Sequence, residues 1–283
     1  SSSTSRRPTT RRFPMTSTSG STQRSRPVKT AAVVTHGRVD VDEAVGRVRA
    51  VAERTGVTLV DDPREAEIVV ALGGDGTMLR ALAQLLGSDV PVIGVNFGRV
   101  GFLASIRPEE LERNLERVLA GEYVVVELST LELRLNGDSH IAVNDVVATS
   151  ATLGRMVELA WAVGGEDLGT VPCDGMICST PSGSTAYNLS NGGPVLVRGL
   201  DAMAVTFIAP HSLDARPLVV PRGLGLAIRN ATLDGSVALL VDGHRVSDLA
   251  PGDEADVALS DKRSLLATLP ETTFFSRYRE TFS

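Results

Sequence analysis

The residues with the clearest capacity for chemistry lie in "ALGGDGTMLR" (71–80), where Gly73, Gly74 and Gly76 surround one acid, Asp75. The aliphatics before them read as a buried strand, and the residues from about Thr77 as a helix. That order suits a phosphate. The N-terminus of a helix offers unpaired N–H groups and a positive dipole end, and glycines let the main chain come close. Arg80, in the first helical turn on this reading, adds a charge-assisted donor. An acid beside such a site needs a task. Asp75 can hold Mg2+, or take a proton from a hydroxyl that attacks a phosphoryl group. A helix-capping Asp is the plainer alternative.

Two further blocks share that chemistry. "NFGRVGFLA" (96–104) follows the next expected parallel strand, so its glycines emerge at the same sheet edge as Asp75. It lacks the G-x-G-x-x-G spacing of a dinucleotide fingerprint. The block "CDGMICSTPSGSTAYNLSNGGP" (173–194) is the most specific of the three. Asp174 opens a strand, and Ser184 or Thr185 is placed to cap a short helix through Ala186, Tyr187, Asn188, Leu189 and Ser190. Small residues permit close approach, hydroxyls bond ribose or amide groups, and the Tyr187 ring offers a stacking face.

Other candidates are weaker. Asn144 and Asp145 interrupt an apolar strand, so one of them needs a partner in the core or in a cleft. His36, His140, His211 and His244 have no metal-ligand spacing, and Asp242-Gly243 reads as a hairpin turn. Cys173 and Cys178 lack a second pair for zinc and are too few for a disulfide framework. No resident metal site is read. The two lysines, Lys29 and Lys262, lie outside any P-loop motif.

The elements that must position these residues fall into two kinds. From Thr30 to Gly121 apolar strands alternate with helical stretches at 41–56, 77–87 and 108–121, which predicts an α/β domain with a parallel sheet and flanking helices. After Tyr123 the pattern changes to strands with frequent turns, beginning with a hairpin at Asn136-Gly137, which predicts a β-rich domain. The expected organisation is a tail over 1–28, an α/β domain over 29–122, a β-rich domain over 123–258, and a segment over 259–283 that docks on the body.

Residues 1–28 hold six arginines, fourteen Ser or Thr and no acid, and read as a disordered extension. The remainder carries 22 basic and 34 acidic side chains, a net of −12 that argues against nucleic acid as main partner. No apolar run approaches the ~18 residues of a membrane span, and no signal-peptide pattern is present. A cytoplasmic protein without a membrane partner is the expectation.

Taken in order, "LGGDGTMLRA", "GVNFGRVGFLA", "VNDVV", "GRMVEL", "CDGMICSTPSGSTAYNLSNGGPV", "ARPLVVP" and "PETTFFSRYRETF" resemble the NAD kinase family, in its bacterial, actinobacterial-looking form. The resemblance implies phosphoryl transfer from ATP or polyphosphate to the 2′-hydroxyl of the adenosine ribose of NAD, Mg2+ dependence, and a homodimer or homotetramer. It implies Asp75 as the essential acid, with Gly74, Gly76 and Arg80 lining the same pocket. Asn144, Asp145 and Arg155 match dinucleotide-contact positions. Asp174 and the segment Thr185 to Ser190 are implied to hold base, ribose or nicotinamide amide. Asp145 stands where the family often has Glu, and Asn191 where Ala is common. A lipid kinase of the diacylglycerol or sphingosine type shares GGDGT, and a dinucleotide sensor without catalysis is the other alternative.

Overall fold

In the strand Ile68–Gly73 successive side chains enter different cores. Ile68, Val70 and Leu72 pack with Val48, Val51, Leu111 and Leu115, whereas Val69 and Ala71 pack with Met78, Ala81 and Leu82. A strand covered on both faces has no polar side to present, which is why it reads as an unbroken aliphatic run. The helices Val41–Thr55 and Leu111–Leu119 cover one face and Asp75–Gln84 the other. Each fully buried Val or Leu side chain contributes about 1.5–3 kcal/mol to holding these layers together. The computed structural model describes residues 21–24, 26–35, 41–98 and 101–282.

The parallel strands run in the order Val92–Asn96, Ile68–Gly73, Thr30–Thr35, Thr58–Leu59. Gly73 pairs with Asn96, so the loops after both strands leave the sheet at neighbouring carboxyl ends. That edge is where open α/β sheets bind ligands.

The long strand Glu254–Thr268 joins this sheet to the rest. Its Leu266 pairs in parallel with Val92, and the strand pairs antiparallel with Tyr123–Leu135 from Asp256↔Arg134 to Thr268↔Val124. A second, six-stranded antiparallel sheet follows the order Leu218–Pro221, Ala202–Ile208, Gly175–Ser179, Asp145–Ser150, Val237–Val241, His244–Leu249. The core between the sheets includes Leu131, Leu133, Leu159, Met176, Cys178 and Leu239. Both cysteines are free and buried there. Burial pushes both thiols above the ordinary range, Cys173 to about 12, so they pack as small apolar groups.

The α/β and β-rich halves match the pattern read from the sequence, but several details differ. Ser21–Arg24, expected in a disordered tail, forms a strand paired with Tyr123–Val126, and Val28 is buried. The free edge of Tyr123–Leu135 supplies main-chain partners that a polar, apolar-poor segment can use without a core of its own. Residues 1–20, His36 and Arg99-Val100 lie outside the described residues. The expected boundary at 258/259 falls inside Glu254–Thr268. The hairpin at Asn136-Gly137 forms, yet its returning strand stops at Ala142, and Asp145–Ser150 belongs to the other sheet.

Candidate active site

Asp75 is the first residue of the helix Asp75–Gln84, with Gly74 at the N-cap. The helix therefore begins earlier than Thr77, and Arg80 lies in its second turn rather than its first. The plain capping role for Asp75 does not occur. Its carboxylate reaches across to the neighbouring loop, where Oδ2 accepts from the Phe102 N–H at 3.0 Å and Oδ1 from the Leu103 N–H at 3.3 Å. Gly101 lies against the same carboxylate, and a Cβ there would overlap it. The glycine in "RVGFLA" is a requirement of that close approach.

The loop is also held from its carbonyl side. The half-buried Arg198 donates to the Phe102 carbonyl, and Arg277 donates to the Ala104 carbonyl at 2.7 Å. Burial pushes the Arg198 guanidinium down to about 10; nearby Asp75 opposes that fall and Arg277 adds to it. It stays charged at neutral pH. Among the described residues, Asp145 and Arg277 are the charged side chains that are buried outright.

A second cluster forms at the break between the two sheets. Asp242 and Gly243 make the two-residue turn between Val237–Val241 and His244–Leu249, both with positive φ. From that turn the Asp242 carboxylate accepts the N–H groups of Val143 at 2.9 Å, Asn144 at 2.7 Å and Asp145 at 3.2 Å. Thr180 holds the same corner from the other side. Its N–H donates to the Asn144 carbonyl at 2.9 Å and its hydroxyl to the Val143 carbonyl at 2.8 Å. Gly183 packs on the Asn144 backbone with no room for a Cβ. The main chain of 143–145 is thus well supplied with partners, and the Asn144 Oδ1 is buried without one.

The Asn144 and Asp145 side chains face a cavity of about 330 Å3, lined also by Leu79, Thr149, Ala186, Tyr187, Leu240 and Asp242. Burial first, and the Asp242 charge second, push the Asp145 carboxyl up to about 7. Asp242 is raised as well, by burial, against the pull of its three N–H donors. Leu79 comes from the Asp75 helix, one turn beyond the acid. The helix that carries the acid and the hydroxyl-rich block therefore share one cavity.

The sequence-named residues divide by position. Asn144, Asp145, Ala186 and Tyr187 line the cavity; Gly74, Asp75 and Gly76 stand at the N-terminal end of the helix that borders it, and Arg80 lies one turn further along. Asp174 is outside the lining but bonded to it: its carbonyl accepts from the Thr149 hydroxyl at 2.8 Å. Arg155 is exposed and 3.8 Å from Asp234, away from the lining. Leu189 and Ser190 lie on the helix Tyr187–Ser190 outside the lining. Asn188 is buried, and its amide is used internally: it donates to the Ser184 and Pro194 carbonyls and accepts from Thr206. Ser184 caps no helix. Its hydroxyl bridges the Pro181 carbonyl and the Leu196 N–H. The sequence reads Asp242 as a hairpin turn, which forms, but not as the anchor of 143–145, and it singles out neither Arg198 nor Arg277; the contacts that matter at all three go to carbonyls and N–H groups, which carry no residue signature. A positive-φ Asp in a hairpin turn is the one local hint, and it points equally to a plain turn.

Comparison with known proteins follows the same division of the chain. Residues 9–123 match the family described as ATP-NAD kinase N-terminal domain, and residues 143–269 match ATP-NAD kinase C-terminal domain. The NAD kinase of Heliobacterium modesticaldum is 39% identical over 239 residues, covering 83% of this chain and 84% of its own. That of Symbiobacterium thermophilum is 38% identical, covering 77% of this chain and 79% of its own. Among solved structures, an NAD kinase from Archaeoglobus fulgidus in complex with ATP superposes with a TM-score of 0.75 at 26% identity, over 89% of this chain and 97% of that one. A yeast NADH kinase complexed with NADH shares the fold, with a TM-score of 0.79 at 23% identity over 90% of this chain and 87% of that one. Both halves match in order and close relatives align along most of their length, so this chain belongs to the NAD kinase family.

Proposed function

We propose that the protein transfers the terminal phosphoryl group of ATP to the 2′-hydroxyl of the adenosine ribose of NAD, giving NADP. The observation that carries this reading is the shared cavity: Leu79, one turn from Asp75, lines it together with Asn144, Asp145 and Tyr187. In that arrangement Asp75 accepts the proton of the attacking hydroxyl. The phosphates lie against the N–H groups at the start of its helix, with Gly74 and Gly76 leaving room and Arg80 adding charge. Asn144 and Asp145 hold ribose hydroxyls or base amides, since the unpartnered Asn144 Oδ1 calls for a donor that the protein does not supply. Ala186 permits close approach and Tyr187 stacks on a base. We place Thr185, Leu189, Ser190, Asp174 and Arg155 as outer contacts, and Asn188 as the support of the 183–190 segment.

Mg2+ fits as a partner of the nucleotide. Among the described residues there is no group of three or more His, Cys, Asp or Glu able to hold a metal, whereas Mg2+ is commonly held by substrate phosphates, waters and one or two carboxylates. Asp75 is the residue of this loop that would help hold it, and the ion would neutralise charge on the transferred group. No helix among the described residues is long and apolar enough to cross a membrane, and we read the enzyme as acting on a cytoplasmic dinucleotide pool. Leu153 and Leu233 are fully exposed on loops joined by the Arg155–Asp234 pair and an Ala151–Ser236 main-chain bond. A homodimer or homotetramer is what the family resemblance implies for this chain, and sedimentation tests it.

The decisive experiment incubates the chain with NAD, ATP and Mg2+ and quantifies NADP with an NADP-specific dehydrogenase, beside Asp75→Asn. The wild type should form NADP, and the variant should turn over 100-fold or more slowly, on the order of general-base losses. Equal turnover would reject the role of Asp75. Absence of NADP with the wild type would reject the reaction.

A further inference from the structure

The segment Gly101–Ala104 is held by groups from three distant parts of the chain, and the functional side chain it meets is the carboxylate of Asp75. Phe102 and Leu103 donate their N–H groups to that carboxylate. Arg198, beyond the hydroxyl-rich block, takes the Phe102 carbonyl, and Arg277, in the C-terminal helix Phe274–Phe282, takes the Ala104 carbonyl. The Phe102 ring packs at 6.0 Å from the Phe274 ring and 5.9 Å from the Phe282 ring. The Arg198 guanidinium lies 6.0 Å from the centre of Phe274.

Guanidinium groups are costly fillers for such positions. Burying a charge is unfavourable unless hydrogen bonds compensate it, and an apolar side chain of similar volume packs as well or better. Arg277 is 8% exposed and keeps Glu280 at 3.2 Å. Arg198 forms no ion pair among the described residues, and the acceptor of its hydrogen bond is the Phe102 carbonyl. What both arginines contribute, and an apolar residue would not, is a directed donor to one peptide chain.

We propose that Arg198 and Arg277 are positioning residues for the reaction: by fixing the Phe102 and Ala104 carbonyls they aim the Phe102 and Leu103 N–H groups at Asp75, and so set the orientation of its carboxylate. The C-terminal helix thereby acts on the acid through one short loop. The inference rests on the reading of Asp75 as the base. A misplacement of about 1 Å at a reacting group costs up to roughly 100-fold in rate, so small shifts of this loop matter.

The test uses the full chain and four variants: Arg198→Gln, Arg277→Gln, the double variant, and Arg198→Lys. Amide hydrogen exchange over residues 101–105 is measured beside kcat and the calorimetric Kd for NAD. Each Gln variant should exchange the Phe102 and Leu103 amides faster and lose roughly 10- to 100-fold in kcat, while Kd for NAD stays within about twofold. The double variant should be little worse than the poorer single one, because both act on one segment. Arg198→Lys should recover part of kcat, because its longer, charged donor can reach the Phe102 carbonyl that the shorter, neutral Gln amide does not. Unchanged exchange, unchanged kcat, independent additive losses, or parallel loss of NAD affinity and kcat would each overturn the proposal. If Arg277→Gln fails to fold, the half-buried Arg198 pair of variants still decides it. A wild type that makes no NADP rejects the kinase reading instead, and exchange, which needs no turnover, separates the two failures.

Discussion

The Asp242 carboxylate accepts the backbone N–H of Asn144 at 2.7 Å from 98 residues away in the chain. It takes the flanking N–H groups of Val143 and Asp145 as well, so one side chain shapes the corner from which two cavity-lining side chains project. Removing it as Asp242→Ala strands three N–H groups at a partly buried site, each costing about 1–3 kcal/mol where water cannot replace the partner. The expected outcome is a clear fall in Tm together with a raised KM for NAD. Thermal melts and steady-state kinetics check it, and a normal KM would separate the corner from binding.

Asp145 carries a pH signature. Burial first, and the Asp242 charge second, push its carboxyl up to about 7 in the folded state, above the ordinary Asp value of roughly 4. Between those values the native protein holds a proton that the unfolded chain has released, so stability falls as pH rises through that window and levels above it. Asp145→Asn has no such loss. Denaturant midpoints should show the variant gaining on the wild type from pH 4 to 7, with a constant gap beyond, while its affinity for NAD falls. A gap independent of pH would contradict the burial argument.

Tyr187 is 45% exposed and lines the cavity, so its ring is available for a ligand without being needed for the core. Tyr187→Ala should weaken NAD binding by about 1–3 kcal/mol, the range for base stacking on an aromatic ring, and leave Tm within a degree or two. Calorimetry reads the first and a melt the second. An unchanged Kd would remove the ring from the binding surface.

Gly183→Ala tests the contact between the hydroxyl-rich block and the corner. A Cβ there would collide with the Asn144 backbone, which cannot swing aside as a side-chain tip can. Overpacking of this kind costs about 1–3 kcal/mol. Gly192→Ala is a control: its Cβ meets nothing nearby, although its positive φ carries a smaller strain. The order of the two melts decides the matter.

Local order was legible because periodicity and turn chemistry are local. The alternation from Thr30 to Gly121, the turn at Asn136-Gly137, and the helices ending at Gly56 and Gly121 follow from residue types within a few positions of one another. Asp75, Asn144, Asp145 and Tyr187 were visible as functional types at unusual places, an acid among glycines or a polar pair in an apolar strand. Tertiary structure alone decided which of them meet. The pairing of Glu254–Thr268 with Tyr123–Leu135 welds the expected domains across a drawn boundary, and Ser21–Arg24 finds the free edge of the same strand. Asp242, Arg198 and Arg277 act through main-chain groups that every residue carries, so no spacing in the sequence marks their partners; only the folded chain brings donor and acceptor within 3 Å or so.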